Sequence, residues 1–106
     1  MTRAIVAGTD QYSIATAIAD AGHEVARVDL ATGDTLDATD IGATDVYVLT
    51  ELDQATSIPV AKERNPDLRV VVYAHDSLPD FVRRQTDLAL DPALFDPADV
   101  AAELGG

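Results

Sequence analysis

The chain contains no cysteine and no tryptophan, and it has a single lysine, Lys62. Without cysteine there can be no disulfide, no thiolate nucleophile and no Cys-ligated zinc or iron–sulfur centre. Basic residues are scarce: seven Lys and Arg stand against 19 Asp and Glu, a formal net charge of −12. That sign repels a phosphate backbone and excludes direct binding of nucleic acid. No apolar run approaches the roughly 20 residues of a membrane span, and the first residues show no signal-peptide pattern. The expected location is therefore the cytoplasm, with neither membrane nor nucleic acid as partner.

What is present suits one folded domain over residues 1–106. The length allows an ordinary core without staples, and 47% hydrophobic residues are too many for a disordered acidic tail. The acids are 15 Asp and 4 Glu, the bases 6 Arg and one Lys, and alanine occurs 18 times. The acids recur along the whole chain rather than forming one block, as an acidic tail would. Dispersed Asp, almost no Lys and many small apolar residues resemble the proteins of salt-in halophiles. In molar salt the Debye length is about 3 Å or less, so a carboxylate-rich surface stays hydrated with little self-repulsion. One consequence is general: with 15 Asp in 106 residues, an Asp at a given position is weak evidence of chemistry.

The hydrophobic pattern alternates between strand and helix. Residues 3–8 read as a short buried strand ending at a glycine. Ile14, Ala17, Ile18 and Ala21 recur at helical spacing, with Gly22 as a helix stop. Residues 24–29 alternate as a second strand. Residues 30–44 are polar and turn-rich, with at most a short helix near 35–41. Residues 45–50 form a continuous apolar run, as in a central parallel strand. A helix over 53–65 meets Pro59, which requires either a start near Ser57 or a kink. Residues 68–74 are the strongest strand signal. Ser77 opens a helix with Asp80 as a capping-box variant, residues 88–90 form a weak last strand, and Asp96-Pro97 starts a final helix. Such alternation predicts a parallel sheet covered by helices on both faces.

At Ile5-Val6-Ala7-Gly8, Gly22-His23-Glu24-Val25 and Val28-Asp29 the chain resembles the first βαβ unit of a Rossmann domain. Gly33-Asp34, Gly42 through Thr50, and Asn65 through Asp76 are similar to the TrkA N-terminal (RCK) domains that regulate potassium transport. The chain also resembles small haloarchaeal Rossmann-like proteins, some of them labelled CTP synthetase. That label finds no support, because the sequence has neither a glutaminase cysteine nor G-x-x-x-x-G-K. The resemblance implies a dinucleotide of the NAD type, held at Gly8, Thr9, Asp10, Asp29 and Thr50. Residues 30–44 are too short for the additional strand usual in RCK domains. The expected fold is thus a three-layer α/β/α Rossmann-like domain with five parallel strands in the flavodoxin-like order 2-1-3-4-5.

The dinucleotide fingerprint is altered. It needs glycines where backbone approaches pyrophosphate, but Gly8-Thr9-Asp10-Gln11-Tyr12-Ser13 keeps only the first. Asp10 at the helix start would cap the N–H groups that normally hold phosphate. At about 5 Å a carboxylate repels a doubly charged group by roughly 2–7 kcal/mol for dielectrics of 80 to 20. A helix N-terminus returns only about 0.3–2 kcal/mol. An NAD-type cofactor is therefore disfavoured.

Other residues expected at the carboxyl ends of the strands are Glu51, His75, Asp76 and Asp91. A neutral ligand such as a nucleoside, a cation held by Asp10, Glu51 and Asp76, and a plain hydrated acidic rim all fit this set. Asp10 also invites comparison with receiver domains, which place an acceptor Asp after the third strand and a Lys after a later one. The chain offers Glu51 and Asp53, but its one Lys lies on a helix, which counts against that comparison. His75 beside Asp76 suggests acid–base chemistry, yet no nucleophile is marked. The function expected is a non-catalytic module that senses a small molecule or nucleotide, with a second copy of the chain as a further partner. The alternatives are an interaction module without a ligand and, third, an NAD-dependent enzyme.

Overall fold

The computed structural model describes residues 2–75 and 78–104; Asp76 and Ser77, invoked above for acid–base chemistry and for a helix start, lie outside them. Five strands, β1 (Arg3–Ala7), β2 (Glu24–Val28), β3 (Val46–Leu49), β4 (Arg69–Tyr73) and β5 (Leu88–Leu90), pair in parallel in the order β2-β1-β3-β4-β5. The connections contain α1 (Ile14–Asp20), α2 (Gly33–Ala38) and α3 (Ser57–Arg64), and α4 (Pro97–Leu104) follows β5. This is the flavodoxin-like α/β arrangement that the alternation predicts.

Strand alternation divides the core into two layers. Ile5, Ala7, Tyr47, Leu49, Val70 and Val72 face one side with Leu36 of α2 and Ile58 and Ala61 of α3. Their neighbours Ala4, Val6, Val46, Val48, Val71 and Tyr73 face the other, with Ile14 and Ile18 of α1 and Val100 and Leu104 of α4. Successive side chains of a strand point to opposite faces, so an uninterrupted apolar run supplies both layers. β1, β3 and β4 are accordingly the buried central strands, while β5 is short and partly exposed at an edge.

The helix over 53–65 resolves into a 3-10 turn, Leu52–Gln54, and α3 beginning at Ser57. Pro59 therefore sits in the first turn, where its missing N–H has no intrahelical partner to lose. The short polar helix begins at Gly33, earlier than expected. Thr32 and Thr35 close a reciprocal capping box there. In place of an α-helix from Ser77, a 3-10 run spans Asp80–Gln85, and Val82 is its buried residue. One apolar anchor gives too narrow a stripe to hold an amphipathic helix against the sheet.

Tyr47 lies wholly in the core, its hydroxyl 2.7 Å from Ser57 Oγ. Burial pushes its pKa up to about 12, partly offset by the Ser57 hydrogen bond. In the unfolded chain the phenol ionises near pH 10, so between pH 10 and 12 the folded state holds more protons. Its contribution to stability is complete below pH 10 and declines through that window by at most about 1.4 kcal/mol per pH unit. Burial raises Tyr73 too, with Asp96, Tyr12 and Asp91 adding to the rise. Tyr47→Phe is expected to cost about 1–2 kcal/mol at pH 7, because the Ser57 hydroxyl loses its partner. It should also remove Tyr47's share of the alkaline slope, which urea titrations at pH 7 and pH 11 would measure.

Candidate functional site

The carboxyl ends of β1, β3 and β4 converge on a cavity of about 220 Å³. Of the expected residues, Thr9, Asp10, Thr50, Glu51 and His75 line it, with Tyr12, Asp53 and Tyr73 among the others. Gly8 forms the floor of the β1–α1 loop. Its φ is +106°, and a Cβ would collide with Thr50 Oγ1 and come within 3.1 Å of the Glu51 N–H nitrogen. Thr50 cannot easily yield, since its hydroxyl donates to Ala7 O at 2.9 Å and accepts from Asp10 N–H at 3.2 Å. Gly8 is therefore explained by protein packing without any pyrophosphate.

Asp10 has a left-handed backbone, φ 54°, and a carboxylate that is only 5% exposed. It accepts from Ile14 N–H at 2.6 Å and from Ala15 N–H at 3.2 Å. Arg27 Nε lies 3.8 Å away, and Arg27 also donates to Gly8 O. The carboxylate thus occupies the first free N–H groups of α1, where a bound phosphate would have to compete with it. Asp29 stands apart from the cavity, its side chain 98% exposed and 3.8 Å from Arg27.

Tertiary structure assembles one constellation that the sequence scattered. The Tyr12 hydroxyl is hydrogen-bonded to His75 Nε2, and His75 Nδ1 lies 2.9 Å from Asp91 Oδ1. A carboxylate can only accept, so Nδ1–H donates to Asp91; in the neutral imidazole Nε2 then accepts from the Tyr12 hydroxyl. Asp91 is itself oriented by Ala93 N–H at 2.9 Å. The carboxylate partner of His75 among the described residues is therefore 16 positions away along the chain. Only its place at the end of the strongest strand hinted at the contact, because the ends of neighbouring parallel strands share one edge of the sheet. Arg83 pairs locally with Asp80 at 2.9 Å. Lys62 donates to Leu68 O at 2.6 Å and lies 3.9 Å from Asp87, remote from the cavity. Among the described residues no group of three or more His, Cys, Asp or Glu side chains is placed to hold a metal ion. Asp10, the acid best placed in the cavity, is committed to backbone N–H groups. The acids therefore do not fit a divalent-cation centre. No helix among the described residues is long and apolar enough to cross a membrane.

A model described as "Family of unknown function (DUF7126)" matches residues 4–104. A comparison with curated proteins returns no match. Among solved structures, an orphan response regulator of H. pylori is 13% identical, with a TM-score of 0.75 over 98% of this chain and 93% of that one. An atypical orphan response regulator, whose structure is described as revealing a phosphorylation-independent regulatory mechanism, is 12% identical, with a TM-score of 0.70 over 97% and 92%. A protein assigned to pilus assembly in Burkholderia thailandensis is 19% identical, with a TM-score of 0.71 over 99% and 96%. At these identities the likeness is one of fold, and the fold is that of response-regulator receiver domains.

These neighbours correct the resemblance to small haloarchaeal Rossmann-like proteins and to TrkA N-terminal (RCK) NAD-binding domains. A strand, a helix and a second parallel strand open both kinds of doubly wound domain, so the first βαβ unit cannot separate them. The missing strand between β2 and β3 and the Asp10 cap belong to this chain, and both depart from the dinucleotide pattern.

Proposed function

We propose that this chain, which belongs to the DUF7126 family, is a non-catalytic regulatory module of receiver-like fold that works without aspartyl phosphorylation. The observation that carries the proposal is the residue at the end of β3. Thr50 directly follows that strand; its side chain is a hydroxyl bonded to Ala7 O and to Asp10 N–H, and not an aspartate. Asp91 directly follows β5, while the one lysine lies on α3. A carboxylate at that strand end repels an incoming phosphoryl group that an ammonium would attract. The similar fold of a regulator described as phosphorylation-independent supports the same direction.

Regulation would then run through association, with a partner or with a second copy. Phe81, in the 3-10 run after β4, and Leu94 and Phe95, after β5, are exposed at 59%, 77% and 42%, and they supply apolar surface for it. The dispersed carboxylates support salt tolerance as part of the same proposal, since the net charge of −12 is screened in molar salt.

The test is incubation with acetyl phosphate and Mg²⁺, followed by intact-mass analysis. The unmodified mass is expected throughout. A phosphoryl adduct on Asp53 or Glu51 would overturn the proposal.

A further inference from the structure

The cavity at the crest has a charge that the rest of its neighbourhood does not balance. Its wall carries three carboxylates, Asp10, Glu51 and Asp53, and no Lys or Arg. Asp10 is spent on backbone N–H groups and faces Arg27. Glu51 is bonded by the Thr9 hydroxyl. Neither Glu51 nor Asp53 has a cationic partner among the described residues.

Tyr12 is an independent observation. It precedes α1 and keeps 37% of its surface exposed, so core packing does not account for it. Yet it is held from several sides. Its hydroxyl is anchored to His75, which Asp91 orients. Its ring meets Tyr73 and His75 edge-on, with centroids at 6.0 and 5.5 Å. An immobilised aromatic surface beside uncompensated carboxylates is the chemistry that recognises organic cations. The same wall repels phosphates, and its acids are not gathered into a metal-binding group among the described residues.

We propose that this cavity binds a small organic cation, an amine or guanidinium whose charge meets Glu51 and Asp53 and whose stem packs on Tyr12. At about 30 Å³ per water, a cavity of about 220 Å³ has room for an amine with a four-carbon stem. The Tyr12–His75–Asp91 chain is the positioning element that holds the aromatic wall. The cation comes either as a free metabolite or as an Arg or Lys side chain of a protein, and the chemistry is the same.

The test is an NMR titration of the whole chain with agmatine, putrescine and a blocked arginine amide, with NaCl and MgCl2 at matched ionic strength as controls. Agmatine or putrescine is expected to shift Thr9, Tyr12 and Glu51 resonances saturably. Tighter binding of the arginine amide assigns the side-chain source, and tighter binding of the diamine assigns the metabolite. Glu51→Gln, Asp53→Asn and Tyr12→Ala should each weaken binding about tenfold, while Asp67→Asn, just before β4 at the opposite end of the strands, should not. The proposal is overturned if no organic cation shifts the cavity, if Mg²⁺ alone does, or if folded Glu51→Gln and Asp53→Asn bind as the native chain does. A phosphoryl adduct in the acetyl phosphate experiment would leave it standing, because the binding chemistry does not depend on how the module signals.

Discussion

Gly8→Ala is expected to lower the stability of the fold by about 3 kcal/mol and its melting temperature by more than 10 °C. Two costs add. The backbone is at φ +106°, outside the range that L-residues adopt without strain. The new methyl would also run into Thr50 Oγ1 and crowd the Glu51 N–H nitrogen at 3.1 Å, an overpacking cost of about 1–3 kcal/mol. Thr50 could turn away only by giving up its bonds to Ala7 and Asp10. Gly22→Ala is the internal comparison. Its φ is +93°, but a Cβ there meets nothing within 4 Å, so only the backbone cost of about 1–2 kcal/mol applies. Thermal unfolding followed by circular dichroism separates the two. Equal losses at both positions would mean that Thr50 swings aside and that the β1–β3 approach is softer than its hydrogen bonds imply.

The second large effect is expected at Asp10. Asp10→Ala removes two charge-assisted bonds to the start of α1 and leaves Arg27 facing an uncharged site. Capping losses are typically about 1 kcal/mol and reach about 2 kcal/mol. Here the carboxylate is 5% exposed, so water replaces it poorly, and a loss of about 2–3 kcal/mol is expected by urea denaturation. Asp10→Asn keeps one oxygen acceptor and should recover about half. If Asp10→Ala were neutral, the carboxylate would not be the cap that keeps phosphate from α1, and the main physical objection to a dinucleotide at this site would fall with it.

Much of the architecture was legible along the chain. Runs such as residues 45–50 and 68–74 are apolar at every step, which only a strand covered on both faces tolerates. The shortness of residues 30–44 removes one strand and so determines the 2-1-3-4-5 order. Asp10 was legible too, because a carboxylate four residues before a helical stripe has few other places to go. The likeness to response-regulator folds was not legible. Glycine at the end of β1 has the same local appearance whether it admits a pyrophosphate or, as Gly8 does here, admits Thr50 of the neighbouring strand. The absence of a strand-end lysine weighed against a receiver, although that lysine serves phosphoryl chemistry and not the fold.

The candidate site divides in the same way. Glu51 and Asp53 could be placed near the crest from the strand ends alone, whereas Tyr12 reads simply as the residue before a helix. Sequence by itself determined the layer architecture, the strand order and the charge, because these follow from periodicity, segment length and composition. Only tertiary structure decided that His75 pairs with Asp91 and Tyr12, and that Glu51 and Asp53 line one cavity with Tyr12, with no cationic partner among the described residues. Those contacts join residues 12, 75 and 91 across the ends of three parallel strands, and no local pattern of spacing records which strand ends meet.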